Sequence, residues 1–240
     1  MERKIYWTKI NQIIKESPEV YTFLLDLPEG FTWEEGAHTH LALKGFNEGE
    51  KPNKSLVRHM SICTLPSENS VGITTRIKEQ CSEFKAILRT LEVGDELALF
   101  KIHSNVPLKR QSKNIYFLSS GVGLATFRPL VLTFLQQPEN IKSIHSLNIE
   151  SSKHFLFTDV FTSVPEKNFT AHYVDTRNAY YEEVKKLAAD QEGLFYVVGS
   201  DEFIQQNIDL LREHGITPEQ IVLDKREQHL AKYFETEASI

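Results

Sequence analysis

The apolar residues of this chain change their period near residue 114, and that change limits the fold more than any single motif. Up to about Ile102 they fall in short runs of strand character: Lys4 to Ile10, Val20 to Leu27, His38 to Leu43, Val57 to Thr64, Val71 to Ile77 and Glu96 to Ile102. Turn-forming groups part them at Pro28-Glu29-Gly30, Glu35-Gly36, Asn47 to Asn53 and Pro66-Ser67-Glu68-Asn69. One helix interrupts the series at about Glu83 to Leu91, with Ser82 as its candidate N-cap and Gly94 at its close. Such a pattern predicts an antiparallel β-barrel or sandwich, of which the barrel is the expectation adopted.

Beyond Asn114 apolar strands alternate with helical segments. Strands are expected at Ile115 to Ser119, Ser143 to Ile149, Thr170 to Val174, Leu194 to Val198 and Ile221 to Leu223. Helices are expected at about Phe127 to Gln136, Tyr180 to Ala189 and Asp201 to His214, with a short one near Phe157 to Phe161. Alternation of this kind implies parallel pairing and a doubly wound α/β sheet. The polar stretch Ser104 to Asn114 reads as the join, so the expected domains are residues 1–110 and 111–240. At 240 residues the chain can hold two modest cores, since domains usually contain about 100 to 200 residues.

Charge and cysteine usage narrow the function classes. A formal charge of −6 and a pI near 5.9 provide no basic field for nucleic acid. No stretch approaches the roughly 18 consecutive apolar residues of a membrane span, and residues Met1 to Ile14 mix charged with apolar side chains, so a cytoplasmic protein is expected. Cys63 and Cys81 are too few to hold an iron–sulfur cluster or a structural zinc, and two reduced thiols are expected. No nucleophile-elbow sequence and no Gly-Lys-Ser/Thr phosphate loop is present.

Three stretches can carry chemistry. Ile115 to Ser119 runs into Ser120-Gly121-Val122-Gly123 and then a helix beginning near Ala125; glycines at such a turn let a backbone approach a pyrophosphate, although tight packing satisfies them as well. On the strand Arg58-His59-Met60-Ser61, Arg58 and Met60 share one face and Ser61 takes the other, offering a guanidinium for a phosphate and a hydroxyl for a ring nitrogen. Ser82 and the first-turn amides after Gln80-Cys81 can cradle a diphosphate, and an ordinary N-cap accounts for Ser82 equally well.

Taken in order, these stretches resemble the ferredoxin-NADP reductase superfamily of flavin- and nicotinamide-binding reductases, over about Tyr6 to Leu223. Glu35-Gly36-Ala37-His38 is similar to its Pro-Gly-Gln turn, Arg58 to Ser61 to its Arg-x-Tyr-Ser flavin motif, and Leu91-Glu92-Val93-Gly94-Asp95 to its Leu-x-x-Gly-Asp ending. Ser120-Gly121-Val122-Gly123 through Phe127-Arg128 is similar to its Gly-Gly-Val-Gly-x-Thr-Pro-Phe-Arg turn, and Tyr196-Val197-Val198-Gly199 to its Tyr-x-Cys-Gly-Pro strand.

The resemblance implies a reductase passing hydride from NAD(P)H to FAD, or less often FMN, and electrons onward to an acceptor such as ferredoxin, flavodoxin or a small molecule. By it Arg58 would neutralise the flavin pyrophosphate and Ser61 would hydrogen-bond flavin N5 as the catalytic residue. His59, Met60 and Ser82 would complete the flavin site, and Gly121, Val122, Gly123 and Gly199 would receive the nucleotide. Met60 stands where a tyrosine covers the flavin, a task a thioether can perform. Ala125 and Thr126 replace the threonine and proline, and Val198 and Ser200 replace the cysteine and proline.

Donor choice is expected after the second and third strands of the α/β half. There Ser151, Ser152, Lys153, Thr176 and Arg177 lean towards a 2′-phosphate. In place of the family's C-terminal aromatic, Asp224-Lys225-Arg226 departs from the pattern, with Tyr233 and Phe234 as substitutes further on.

Two other function classes remain open. One is a non-catalytic flavin or nucleotide-binding sensor or electron-transfer subunit, which the altered nicotinamide side favours. The other is a metal-binding β-barrel, since His38 and His40 share a strand face and His59 can join them; Lys44 stands where an acidic ligand of that set would fall, and no metal is expected.

Overall fold

The computed structural model describes residues 4–162 and 168–235, and the chain divides into two compact units, Met1–Pro107 and Leu108–Ile240. The first three residues of the Met1 to Ile14 segment lie outside the described residues. None of the described helices is long and apolar enough to cross a membrane.

The first unit is a six-stranded antiparallel sheet made of β1 (Tyr6–Lys15), β2 (Val20–Asp26), β3 (Ala37–Ala42), β4 (Val57–Ser61), β5 (Ser70–Arg76) and β6 (Glu96–Ser104). Its order is β4-β3-β6-β1-β2-β5. The outer strands β4 and β5 also come into contact, which curls the sheet into a barrel. Helix α1 (Glu83–Thr90) plugs it with Phe84 and Leu88, both fully buried in the core formed by Ile10, Phe23, Leu25, Leu41, Ile62, Ile73 and Leu99.

All six expected strands form, and β1 is longer than its hydrophobic pattern suggests. It pairs with β6 over Tyr6 to Lys9 and with β2 from Ile10 on, and the register shifts between Ile10 and Gln12. A bulge advances the side-chain alternation by one residue, so the period-2 pattern breaks at Asn11 although the strand continues. Gly94 does not end α1, which stops at Thr90. It lies in the next turn with φ +98°, where the Asp95 carboxylate accepts from the Glu92 amide at 2.7 Å.

The second unit is a five-stranded parallel sheet of β7 (Asn114–Ser120), β8 (Ser143–Ile149), β9 (Phe169–Val174), β10 (Leu194–Val198) and β11 (Ile221–Leu223). The order is β11-β10-β7-β8-β9, so the chain reverses direction of travel between β7 and β10. Its helices are α2 (Leu124–Gln136), α3 (Thr158–Phe161), α4 (Arg177–Leu187), α5 (Asp201–Glu213) and the short C-terminal α6 (Ala231–Phe234).

Alternate residues of β7 serve the two faces. Phe117 stacks on Phe127 of α2 at 4.4 Å, while Leu118 joins the cluster that holds Tyr180 and Val184 of α4 with Ile204 and Ile208 of α5. Helix α2 starts three residues earlier than its apolar stretch implies, led by a 3₁₀ turn over Gly121–Gly123. The glycines mask that first turn in the sequence because they carry no side chain to show a period.

Candidate functional site

The residues singled out in the sequence fall, in each unit, at a helix start beside a strand end. In the first unit Arg58 rises from β4 and lies over the Phe84 ring of α1, with its Cζ 5.3 Å from the ring centroid. Its Nη1 donates to the carbonyls of Val57 at 2.7 Å, Ser55 at 3.1 Å and Lys54 at 3.5 Å. These bonds anchor the guanidinium and leave its Nε–Nη2 edge, a fork that matches a phosphate, outside them.

Ser82 caps α1, its Oγ accepting from the Lys85 amide over a long 3.5 Å. Lys85 turns back to donate to the Arg76 carbonyl at 2.6 Å. Burial holds its ammonium below the ordinary lysine pKa; the nearby Cys81 thiol acts the other way, and the cations Arg58, Arg76 and Lys78 add to the depression. Arg58, Arg76 and Lys78 thus lie near enough to Lys85 to act on its ammonium beside the start of α1, whose first turn also carries Glu83.

Sequence reasoning named only Arg58 and Ser82 here and missed Arg76, Lys78 and Lys85. No local signal marks them. They gather because β4 and β5, at opposite ends of the strand order, close the barrel.

The rest of the Arg58 strand divides between the faces. Met60 packs against the barrel core. His59 is exposed on the other face, its ring 4.0 Å from His40 and stacked on His38 at 5.9 Å and 9°. His103 reaches the same cluster, 5.8 Å from His38, because a bulge at Lys101, with φ +53°, carries β6 past β3 there. Ser61, half-buried, is the register partner of His38 on that face. The structure therefore brings Arg58 and Ser82 to one place and groups His59 with Ser61 and the histidines. Among the described residues no group of three or more histidine, cysteine or acidic side chains is placed to hold a metal ion.

In the second unit Gly121, Val122 and Gly123 form the turn from β7 into α2 and are all half-buried. Gly121 has φ +53°, a backbone that disfavours any Cβ. A Cβ on Gly123 would lie 2.8 Å from the Val198 carbonyl oxygen at the end of β10. Gly199 is closed in by the Phe203 ring, 2.5 Å from where its Cβ would be.

Helices α1, α4 and α5 carry side-chain caps from Ser82, Thr176 and Ser200, whereas neither Ser120 nor Gly123 caps the α2 start. The first amide of α2, that of Leu124, donates to the Gly121 and Val122 carbonyls within the 3₁₀ turn, and Gly123 is held close against Val198. Beneath the turn Asn148, buried in β8, donates to Ser119 Oγ at 2.8 Å and to the Gly121 carbonyl at 3.3 Å. Asn148 escaped sequence reasoning, because an asparagine within an apolar strand gives no periodic cue.

The departures in this unit have structural roles of their own. Ala125 and Thr126 are both buried in the first turn of α2. Ser200 accepts from the Phe203 amide at 3.2 Å and so starts α5. Tyr233 is buried in the α/β core, and its hydroxyl donates to Asp201 Oδ1 at 2.6 Å. Lys225 and Lys232 join the same carboxylate at 3.1 and 3.4 Å. Tyr233, led by Lys232, thus staples the C-terminal segment onto α5.

No family model matches the chain, and no curated protein matches it. Solved structures do. A ferredoxin NADP+ reductase from Neisseria gonorrhoeae, with bound FAD and NADP, superposes with a TM-score of 0.77 at 18% identity, covering 92% of this chain and 98% of that one. The Amycolatopsis cytochrome P450 reductase GcoB gives 0.76 at 13% identity over 93% of this chain and 70% of its own. The ferredoxin-NADP+ reductase from Plasmodium falciparum with 2′P-AMP gives 0.72 at 15% identity, over 90% and 94%. From the antiparallel barrel with its single plugging helix to the five-stranded parallel sheet, this chain has the fold of the ferredoxin-NADP reductase superfamily.

Proposed function

We propose that this protein is an NAD(P)H-dependent flavoprotein reductase, with residues 1–110 binding flavin and residues 111–240 binding the nicotinamide nucleotide. The observation that carries this reading is that two of the family-like stretches, one in each unit, lie at helix starts where an anionic group could be held. At one Arg58, Arg76, Lys78 and Lys85 gather beside the start of α1, and the other is the uncapped glycine turn at the start of α2. The structural neighbours that bind FAD and NADP support it.

On this reading Arg58, with the α1 amides behind Ser82, balances the pyrophosphate charge of FAD, the flavin favoured over FMN. Met60 covers part of the ring and His59 lies at its edge. Ser61 is the catalytic residue, its Oγ meeting the flavin at N5. Bound flavin supplies a two-electron acceptor that can release electrons one or two at a time. Gly121, Val122 and Gly123 present backbone amides to the nucleotide pyrophosphate, and Gly199 keeps the end of β10 clear of side chain. Asn148 fixes the turn through the Gly121 carbonyl. The electron acceptor is ferredoxin, flavodoxin, another protein or a small molecule, and the location is cytoplasmic.

A second reading, a flavin- or nucleotide-binding module without hydride transfer, is favoured by the burial of Ala125 and Thr126, which puts both side chains in the core. Anaerobic titration of the purified protein with NADH and NADPH, followed by visible flavin absorption, separates the two. A yellow protein bleached by either nucleotide supports the reductase, and a yellow protein bleached by neither supports the module. A colourless protein that takes up no added FAD or FMN overturns both.

A further inference from the structure

The sheet face that packs on α4 carries a half-buried histidine. On β8 His145, Leu147 and Ile149 share one side, where Leu147 meets Tyr180 and Val184 of α4 and His145 lies two residues nearer the amino end. Its register partners are Tyr116 of β7 and Thr170 of β9. His145 Nδ1 and Thr170 Oγ1 are 2.6 Å apart, so one hydrogen bond ties β8 to β9 through side chains. The other ring nitrogen, Nε2, is enclosed and has no hydrogen-bond partner among the described residues.

The titratable groups facing the ring come from β7, β9 and α4. Tyr116 places its ring 6.4 Å away, and its hydroxyl is turned to Asp190, donating to Oδ2 at 2.7 Å. Glu183 of α4 accepts from Lys186, one turn on, at 2.9 Å. His172 follows Thr170 on the same side of β9 and is exposed. In this setting the ring has one inexpensive form. With its proton on Nδ1, donated to Thr170 Oγ1, only a lone pair is enclosed at Nε2. The other neutral tautomer would enclose an unpaired N–H there, and the imidazolium an unpaired N–H together with a charge. Burial accordingly holds the ring below the ordinary histidine pKa; Glu183 acts the other way, and His172 adds to the depression.

We infer that His145 is an acid-sensitive lock on the β8–β9–α4 layer of the second unit: uncharged it ties β8 to β9 beneath α4, and charged it loosens that layer. The lock works whether or not the second unit holds a nucleotide. An unfolded ring takes up its proton at the ordinary value of 6.5, while the folded ring resists it. The layer is therefore at full strength above that value and weakens as pH falls through it. With one proton taken up on opening, the opening equilibrium should rise by up to about tenfold per pH unit.

The test is nitrogen NMR of the histidine rings together with amide exchange, both on the full chain from about pH 8 down to about pH 5. The His145 ring should carry its proton on Nδ1 and titrate below 6.5, and the β8 and β9 amides, corrected for chemical exchange rate, should lose protection as pH falls. In His145→Asn, whose amide can donate where Nδ1 does and cannot titrate, that loss should vanish whatever the variant's absolute stability. Should His145→Asn fail to fold, Glu183→Gln removes the one charge that favours protonation and should move the His145 titration to still lower pH. A wild-type ring that titrates at or above 6.5, or holds its proton on Nε2, overturns the inference. So does a loss of protection that His145→Asn retains in full, or a titration that Glu183→Gln leaves in place, since the ring would then lie outside the α4 layer.

Discussion

Replacing Gly123 by alanine tests whether the turn into α2 is closed by packing. The glycine has φ −56°, an ordinary helical value, so the backbone welcomes alanine and gains up to about 1 kcal/mol from reduced unfolded-state freedom. Sterics oppose it. The new Cβ would stand 2.8 Å from the Val198 carbonyl oxygen and 3.3 Å from both its carbonyl carbon and Cγ1, some way inside the roughly 3.5–4.0 Å of an unstrained contact. Val198 ends β10, which is paired on both sides by β7 and β11 and buried along its length, so the strand does not give way.

Overpacking of this kind costs about 1–3 kcal/mol, which with the full backbone gain set against it leaves a net loss of roughly 0–2 kcal/mol for the second unit. Both tryptophans, Trp7 and Trp33, belong to the first unit, so urea unfolding is best followed by far-UV circular dichroism together with amide exchange along β10. The same displacement moves the α2 amides, and NAD+ affinity should fall in parallel. An alanine variant more stable than wild type would show that the turn has room, and the steric argument for Gly123 would be wrong.

Two further outcomes are expected. Arg58→Ala should lose flavin on gel filtration while Arg58→Lys retains part of it, because a lysine restores charge without the fork; full retention of flavin by the alanine variant would remove Arg58 from the pyrophosphate site. The Asp201 carboxyl is held down to about 2 by the Tyr233 hydroxyl first and by Lys225 and Lys232 after it. A depressed carboxyl adds stability above its unfolded value of 3.8 and loses it as pH falls towards 2. The stability difference between wild type and Asp201→Asn should therefore shrink over that window, and Tyr233→Phe should raise the Asp201 pKa seen by carbon NMR; an unmoved pKa would refute the staple.

The sequence by itself determined the two-part architecture, because period-2 runs and strand–helix alternation are local properties that survive without partners. It pointed to every strand of both sheets, the capped start of α1 and the glycine turn after β7. It misjudged the ends of β1 and α2, where a bulge and a pair of glycines interrupt the period without ending the element.

What only the tertiary structure decided depends on side chains far apart in the chain. Arg76, Lys78 and Lys85 meet Arg58 because the barrel closes between its two edge strands, β4 and β5. Asn148 reaches Gly121 across a parallel crossover of nearly thirty residues. Lys153 and Arg177, read in sequence as cations awaiting a phosphate, are neutralised by Asp175 and Glu202, the second of these brought in by a different helix. Tyr233, left without a place by its short helical tail, is fixed by a carboxylate 32 residues earlier. Electrostatic partnership acts through space over a few ångströms, and a sequence orders residues only along the chain; periodicity fixes which face a side chain takes, and the fold alone fixes what it meets there.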